Sequence, residues 1–87
     1  MTPERRAVEI SRLRNTVEEW GTLQLSHLLK KLYKGYLGWD DDEYHDLMWS
    51  KLHKHVKSAE EGNVESYVHI ANLAMFLANL KAMKNDT

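Results

Sequence analysis

The chain has no cysteine, a single proline and only four glycines in 87 residues. Without cysteine there is no disulfide frame and no thiolate chemistry, a pattern that fits a cytoplasmic protein. So few proline and glycine residues leave little turn chemistry for a fold of many short strands. No apolar run reaches the ~18 residues of a membrane span. The opening Met1-Thr2-Pro3-Glu4-Arg5-Arg6 leads into a charged amphipathic segment, unlike the apolar core of a signal peptide. Neither sign of charge dominates, with 12 Lys plus Arg against 13 Asp plus Glu. No strong field for nucleic acid or an anionic membrane surface is therefore expected. The length fits one helical domain over residues 1–87. A chain this short buries only about 60–65% of its unfolded surface, so pairing with another copy would add stability.

What is present is helical periodicity. Thr2-Pro3-Glu4 reads as a helix start, with Thr2 as N-cap, proline in the first turn and an acid at the positive dipole end. Ala7, Ile10, Leu13 and Val17 follow at helical spacing, and Gly21 is a natural stop. Thr22 then caps a second helix with the apolar stripe Leu25, Leu28, Leu29, Leu32, Tyr33 and Tyr36, and with His27, Lys30, Lys31 and Lys34 off it. Gly35 and Gly38 break that pattern. Asp40 to Glu43 open a third helix reaching about Glu61, with Asp40 and Glu43 forming an Asx capping box. Gly62-Asn63 ends it. A fourth helix, from Val64 to about Lys84, is apolar on most of its circumference and is expected to be buried. Three partner helices do not cover it, so the expected architecture is an all-α four-helix bundle that forms a homo-oligomer, a dimer or a tetramer. Asn85-Asp86-Thr87 should fray.

Chemistry concentrates on a narrow polar strip of the fourth helix. Glu65, His69 and Asn72 lie at i, i+4 and i+7 on one face, and Asn79 continues the line. The third helix carries the stripe Tyr44, Leu47, Met48, Leu52, Val56 and Ala59; His55 falls inside it, flanked by Lys51 and Ser58, while His53 points away near Asp46 and Trp49. A tight Gly62-Asn63 turn makes the two helices antiparallel, so His55 and His69 should approach within a few ångströms. The ordinary reading of such inward histidines is a hydrogen-bonded structural role. A zinc site from His55, His69 and Glu65 is the sharper alternative, although there is no HExxH motif. The run Asp40-Asp41-Asp42-Glu43 lacks the glycine and downstream glutamate of an EF-hand and reads as helix capping. The lysines of the second helix read as a solvated face rather than a phosphate site. Trp20, Trp39 and Trp49 read as core and interface anchors at helix ends.

Trp49 to Leu80 resembles the MazG-like nucleoside triphosphate pyrophosphohydrolases, the all-α NTP diphosphatase superfamily. Members carry a helix of the form K-L-x-E-E-V-x-E, a glycine turn, and a helix of the form E-x-x-D-V-A-N-x-A-M. Here the first is Lys51-Leu52-His53-Lys54-His55-Val56-Lys57-Ser58. The second is Ser66-Tyr67-Val68-His69-Ile70-Ala71-Asn72-Leu73-Ala74-Met75. The resemblance implies a four-helix fold, an oligomeric habit and hydrolysis of an NTP to NMP and pyrophosphate by metal-activated water. It also implies Mg²⁺ as cofactor, bound by carboxylates. The matching positions here are Lys54, His55, Ser58, Ser66 and His69, none acidic, although Asn72 matches the asparagine and Glu65 lies one place from an expected acid. Hard Mg²⁺ takes oxygen ligands, so it should bind weakly or not at all. On this reading Glu65, His69 and Asn72 are the catalytic candidates, and His55, Ser58 and Lys51 the substrate-binding ones, with a nucleotide as partner. The alternative is a non-enzymatic helical module that acts by pairing.

Overall fold

A computed structural model of the chain describes residues 1–36 and 38–85, with the backbone alone described at Asn85. It is helical, with three α-helices, one 3-10 turn and no strand among the described residues. Helix α1 spans Pro3–Tyr33, α2 spans His45–Glu60 and α3 spans Glu65–Asn85.

The four-helix expectation fails at Gly21, where the first two expected helices run on as one helix of 31 residues. A lone glycine in a helix costs only ~1 kcal/mol relative to alanine. That is too little to break a helix with good formers on both sides. Thr22 does not cap a new helix: its hydroxyl donates back to the Glu18 carbonyl at 2.9 Å, within the continuous helix. Trp20 consequently lies mid-helix rather than at a helix end. The start of α1 is as expected, with the Arg5 N–H donating to Thr2 Oγ1 at 3.2 Å and Pro3 in the first turn.

The ends that do form obey local chemistry. Gly35 and Gly62 sit at φ +87° and +101°, where side-chain-bearing residues are strained. Each terminates its helix with the paired bonds of a Schellman motif. At the α2 end, Gly62 N–H donates to Ala59 O at 3.0 Å and Asn63 N–H to Ser58 O at 3.2 Å. The capping acid ahead of α2 is Asp41 rather than Asp40. Its Oδ1 accepts from Glu43 N–H at 2.9 Å and opens the 3-10 turn Asp42–Tyr44. Helix α2 itself starts at His45 with no side-chain cap.

Helices α2 and α3 form an antiparallel hairpin, and the core lies between them: Met48, Leu73, Leu77 and Leu80, with Leu52 and Phe76 against it. Trp39, in the segment joining α1 to the 3-10 turn, stacks on Phe76 with centroids 5.4 Å apart. Helix α3 is not enclosed all round as expected. Tyr67, Met75 and Met83 remain exposed, because α3 has two neighbouring helices rather than three. Helix α1 has no buried residue. Only Gln24, His27 and Leu28 in its C-terminal half, and Glu9, are even half-buried. The expected fraying of Asn85-Asp86-Thr87 falls partly on Asp86 and Thr87, which lie outside the described residues. Among the described residues no helix is long and apolar enough to cross a membrane.

Candidate functional site

The Gly62-Asn63 turn sets α2 and α3 antiparallel, so residues at similar distances from it face each other. His55 and His69 do meet, their rings stacked with centroids 4.6 Å apart and planes 26° from parallel. Helix α1 adds a third imidazole: His27 packs edge-on against His69 at 5.2 Å. Glu65, one turn before His69 on α3, sits between two of them. A single oxygen, Oε1, lies 3.7 Å from both His27 Nδ1 and His69 Nε2. That is beyond hydrogen-bond length, and each contact is an ion pair only when the imidazole is protonated. Glu65 is 62% exposed, whereas the two imidazole side chains are 23% and 19% exposed.

The field at this junction is positive except for Glu65. His69 titrates below its ordinary value, first because burial penalises the imidazolium. The charges of His55, Lys31 and His27 lower it further, against a smaller raising effect of Glu65. His55 is lowered by burial and then by Lys31 and Lys51. The protein thus keeps neutral imidazoles, with free nitrogen lone pairs, next to two lysines.

Asn72 has a different task. Its Oδ1 accepts from Gln24 Nε2 at 3.1 Å, and its Nδ2 donates to the Gln24 carbonyl at 3.3 Å. This part-buried pair ties α1 to α3 one turn beyond His69. Ser58 accepts from Asn63 Nδ2 at 3.2 Å, bracing the α2–α3 turn. Ser58 also borders a small open pocket with His55, Glu65 and His69. Lys51 lies one turn before His55 on a larger groove of about 770 Å³. That groove is lined at one end by Lys31, Lys51, His55 and His69, and at the other by Tyr44, Trp39 and Phe76. From His69 to Phe76 along α3 is about 10 Å at 1.5 Å per residue. His53 stays outside, exposed beside Trp49.

All six residues singled out from the sequence thus border the groove or the small pocket beside it. The residues that sequence reasoning missed, Gln24, His27 and Lys31, come from α1. Their spacing at i, i+3 and i+7 was the available signal, because it places the three on one face of the helix. As a donor set the cluster does not fit Mg²⁺. It offers one carboxylate among imidazoles, where Mg²⁺ requires near-ideal octahedral oxygen coordination. Comparison with known proteins returned no matching protein family, no matching curated protein and no matching solved structure.

Proposed function

We propose that the chain is a nucleoside-phosphate-binding domain of the MazG-like kind, with the groove between α1, α2 and α3 as its site. The observation that carries this reading is the groove's polarity along its length. About 770 Å³ lies in the range of pockets that bury small ligands, ~300–1,000 Å³. Its Trp39 and Phe76 end offers the flat apolar surface on which a base stacks. Its other end offers Lys31 and Lys51, point charges suited to phosphate. Lys51 and His55 face the phosphates, and Glu65 with His69 sits beside them. Hydrolysis to monophosphate and pyrophosphate is what the resemblance adds, and binding is the part that geometry supports. Calorimetric titration of ATP into metal-free protein tests it. The expected result is saturable binding that Lys51→Ala weakens about tenfold, an ordinary loss for one charged contact of ~1.4 kcal/mol. Absence of binding at millimolar ATP, and likewise for the other common nucleoside triphosphates, would contradict the proposal.

Self-association is a second reading, supported by an independent observation. The chain exposes 7094 Å² of surface. A compact monomer of 10.2 kDa would expose about 5,300 Å², so the excess is roughly 1,800 Å². Its radius of gyration is 16.0 Å, where about 12 Å is usual for this length. The excess is the area that each partner buries in a large obligate dimer. Its source is α1, where Ile10, Leu13 and Val17 form an exposed apolar stripe at helical spacing. A second copy laying its own α1 along that stripe would cover both. Sedimentation should show a dimer or larger assembly at micromolar concentration, and a clean 10.2 kDa species would refute it.

A further inference from the structure

We infer that His27, Glu65 and His69 form a binding site for a borderline transition-metal ion such as Zn²⁺, Co²⁺ or Ni²⁺, which staples α1 to α3. This goes beyond nucleotide binding and does not depend on it. The three donor atoms, one from each residue, lie within 4.8 Å of one another. Both imidazole nitrogens stand 3.7 Å from one carboxylate oxygen. Around a four- or six-coordinate ion with bonds of ~2.0–2.1 Å, neighbouring donors sit about 2.9–3.4 Å apart. Closing the site therefore needs movements of an ångström or so. The exposed Glu65 side chain can supply part of them, and rotation of the two imidazole side chains brings their nitrogens together.

The donor chemistry selects the metal. Two imidazoles and one carboxylate suit zinc and its neighbours, and leave coordination positions open. They do not suit Mg²⁺ or Ca²⁺. The remaining surroundings refine the site. His55 stacks on the His69 ring and fixes its plane. Lys31 and Lys51 oppose a bare cation but favour an anion on its open positions, such as a phosphate oxygen. The placement also gives the ion a structural consequence. Glu65 and His69 are one turn apart at the start of α3, while His27 belongs to a helix with no buried residue. A bound ion would add coordinate bonds across the junction of α1 with α3.

Untagged, chelator-treated protein should be titrated with Zn²⁺ and Co²⁺, followed by calorimetry, Co²⁺ visible absorption and thermal melting. The expected outcome is one ion per chain, a raised melting temperature, and no response to Mg²⁺. Glu65→Gln changes an exposed side chain and leaves the fold intact; it should weaken binding on the order of tenfold or more. His27→Ala should remove binding while the helical signal persists, and His53→Ala should change nothing. Three results would overturn the inference: no Zn²⁺ or Co²⁺ binding by the metal-free protein, binding that survives His27→Ala and Glu65→Gln unchanged, or binding lost on replacing His45 instead. Because the titration contains no nucleotide, its failure leaves ATP binding standing, and the reverse also holds.

Discussion

Helix α1 and the α2–α3 hairpin are held by different physics. Among the described residues, the hairpin holds every buried one: Met48 and Ala59 on α2, and Ser66, Val68, Asn72, Leu73, Leu77 and Leu80 on α3. Helix α1 is the longest element and buries none. Its C-terminal half is docked by Gln24, His27 and Leu28, and its N-terminal half stands clear of the hairpin. The hairpin is therefore stabilised by removal of apolar surface from water. Helix α1 depends on backbone hydrogen bonds, its caps and a few polar contacts. The candidate site lies where the two regimes meet. A site between a firm hairpin and a lightly docked helix is one that a ligand can tighten, because ordering α1 adds contacts that the free chain lacks.

Replacing a core residue should separate the two regions most sharply. Leu73→Ala, inside the hairpin, should cost about 2–5 kcal/mol in denaturant unfolding. Leu13→Ala, 65% exposed on α1, should change the unfolding of dilute protein by less than ~0.5 kcal/mol. Equal losses from the two would show that α1 is as well packed as the hairpin.

Next in size is the tie between the regions. Asn72→Ala removes both part-buried bonds to Gln24 and leaves the Gln24 side-chain amide without its partner, a loss of about 1 kcal/mol. Hydrogen exchange should rise in α1 around residues 20–30 while α2 and α3 stay protected. Uniform deprotection across all three helices would mean that Asn72 supports the hairpin rather than the docking of α1.

Gly21→Ala should act in the opposite direction. A Cβ added there meets nothing within 4 Å, and alanine is the better helix former, so a gain of ~0.5–1 kcal/mol is expected. A loss would restore the helix break at Gly21.

The gentlest probe is pH. In metal-free protein His55 and His69 titrate below their ordinary 6.5. Between that value and their lowered folded-state values the unfolded chain binds more protons than the folded one. Stability is therefore full above about pH 6.5 and declines as pH falls, until the folded imidazoles also protonate. His27 and Lys31 on α1, Lys51 on α2 and Glu65 on α3 face the pair and set the size of the effect. Urea unfolding at pH 5.5 and 7.5 should show the decline, and His69→Gln should reduce it. A stability that rises on acidification would mean that Glu65 dominates the cluster.

How much of this could be read from sequence follows the same division. The hairpin was legible: the period of 3.6 placed His55 and His69 on inward faces, and the Gly62-Asn63 turn fixed their register. Those signals are local, or span one tight turn. Helix α1 was not legible in the same way. Gly21 and Thr22 carry the residue types of a helix boundary, yet the continuous helix costs little there and Thr22 bonds backwards. His27 lies off the apolar stripe, and its value depends on a contact with residues about forty positions away that no periodicity encodes. Among four consecutive acids, composition cannot choose which one caps the 3-10 turn, and the structure selects Asp41. The number of neighbours around α3 also depended on α1 being one helix rather than two.

The most direct measurement follows the histidine ring resonances of metal-free protein by NMR as ATP is added. The chain has five histidines, which serve as internal controls. Binding in the groove predicts that His55 and His69 shift with saturation, while His45 and His53 stay still. Shifts at none of them, or equal shifts at all five, would contradict the assignment of this junction as the functional site.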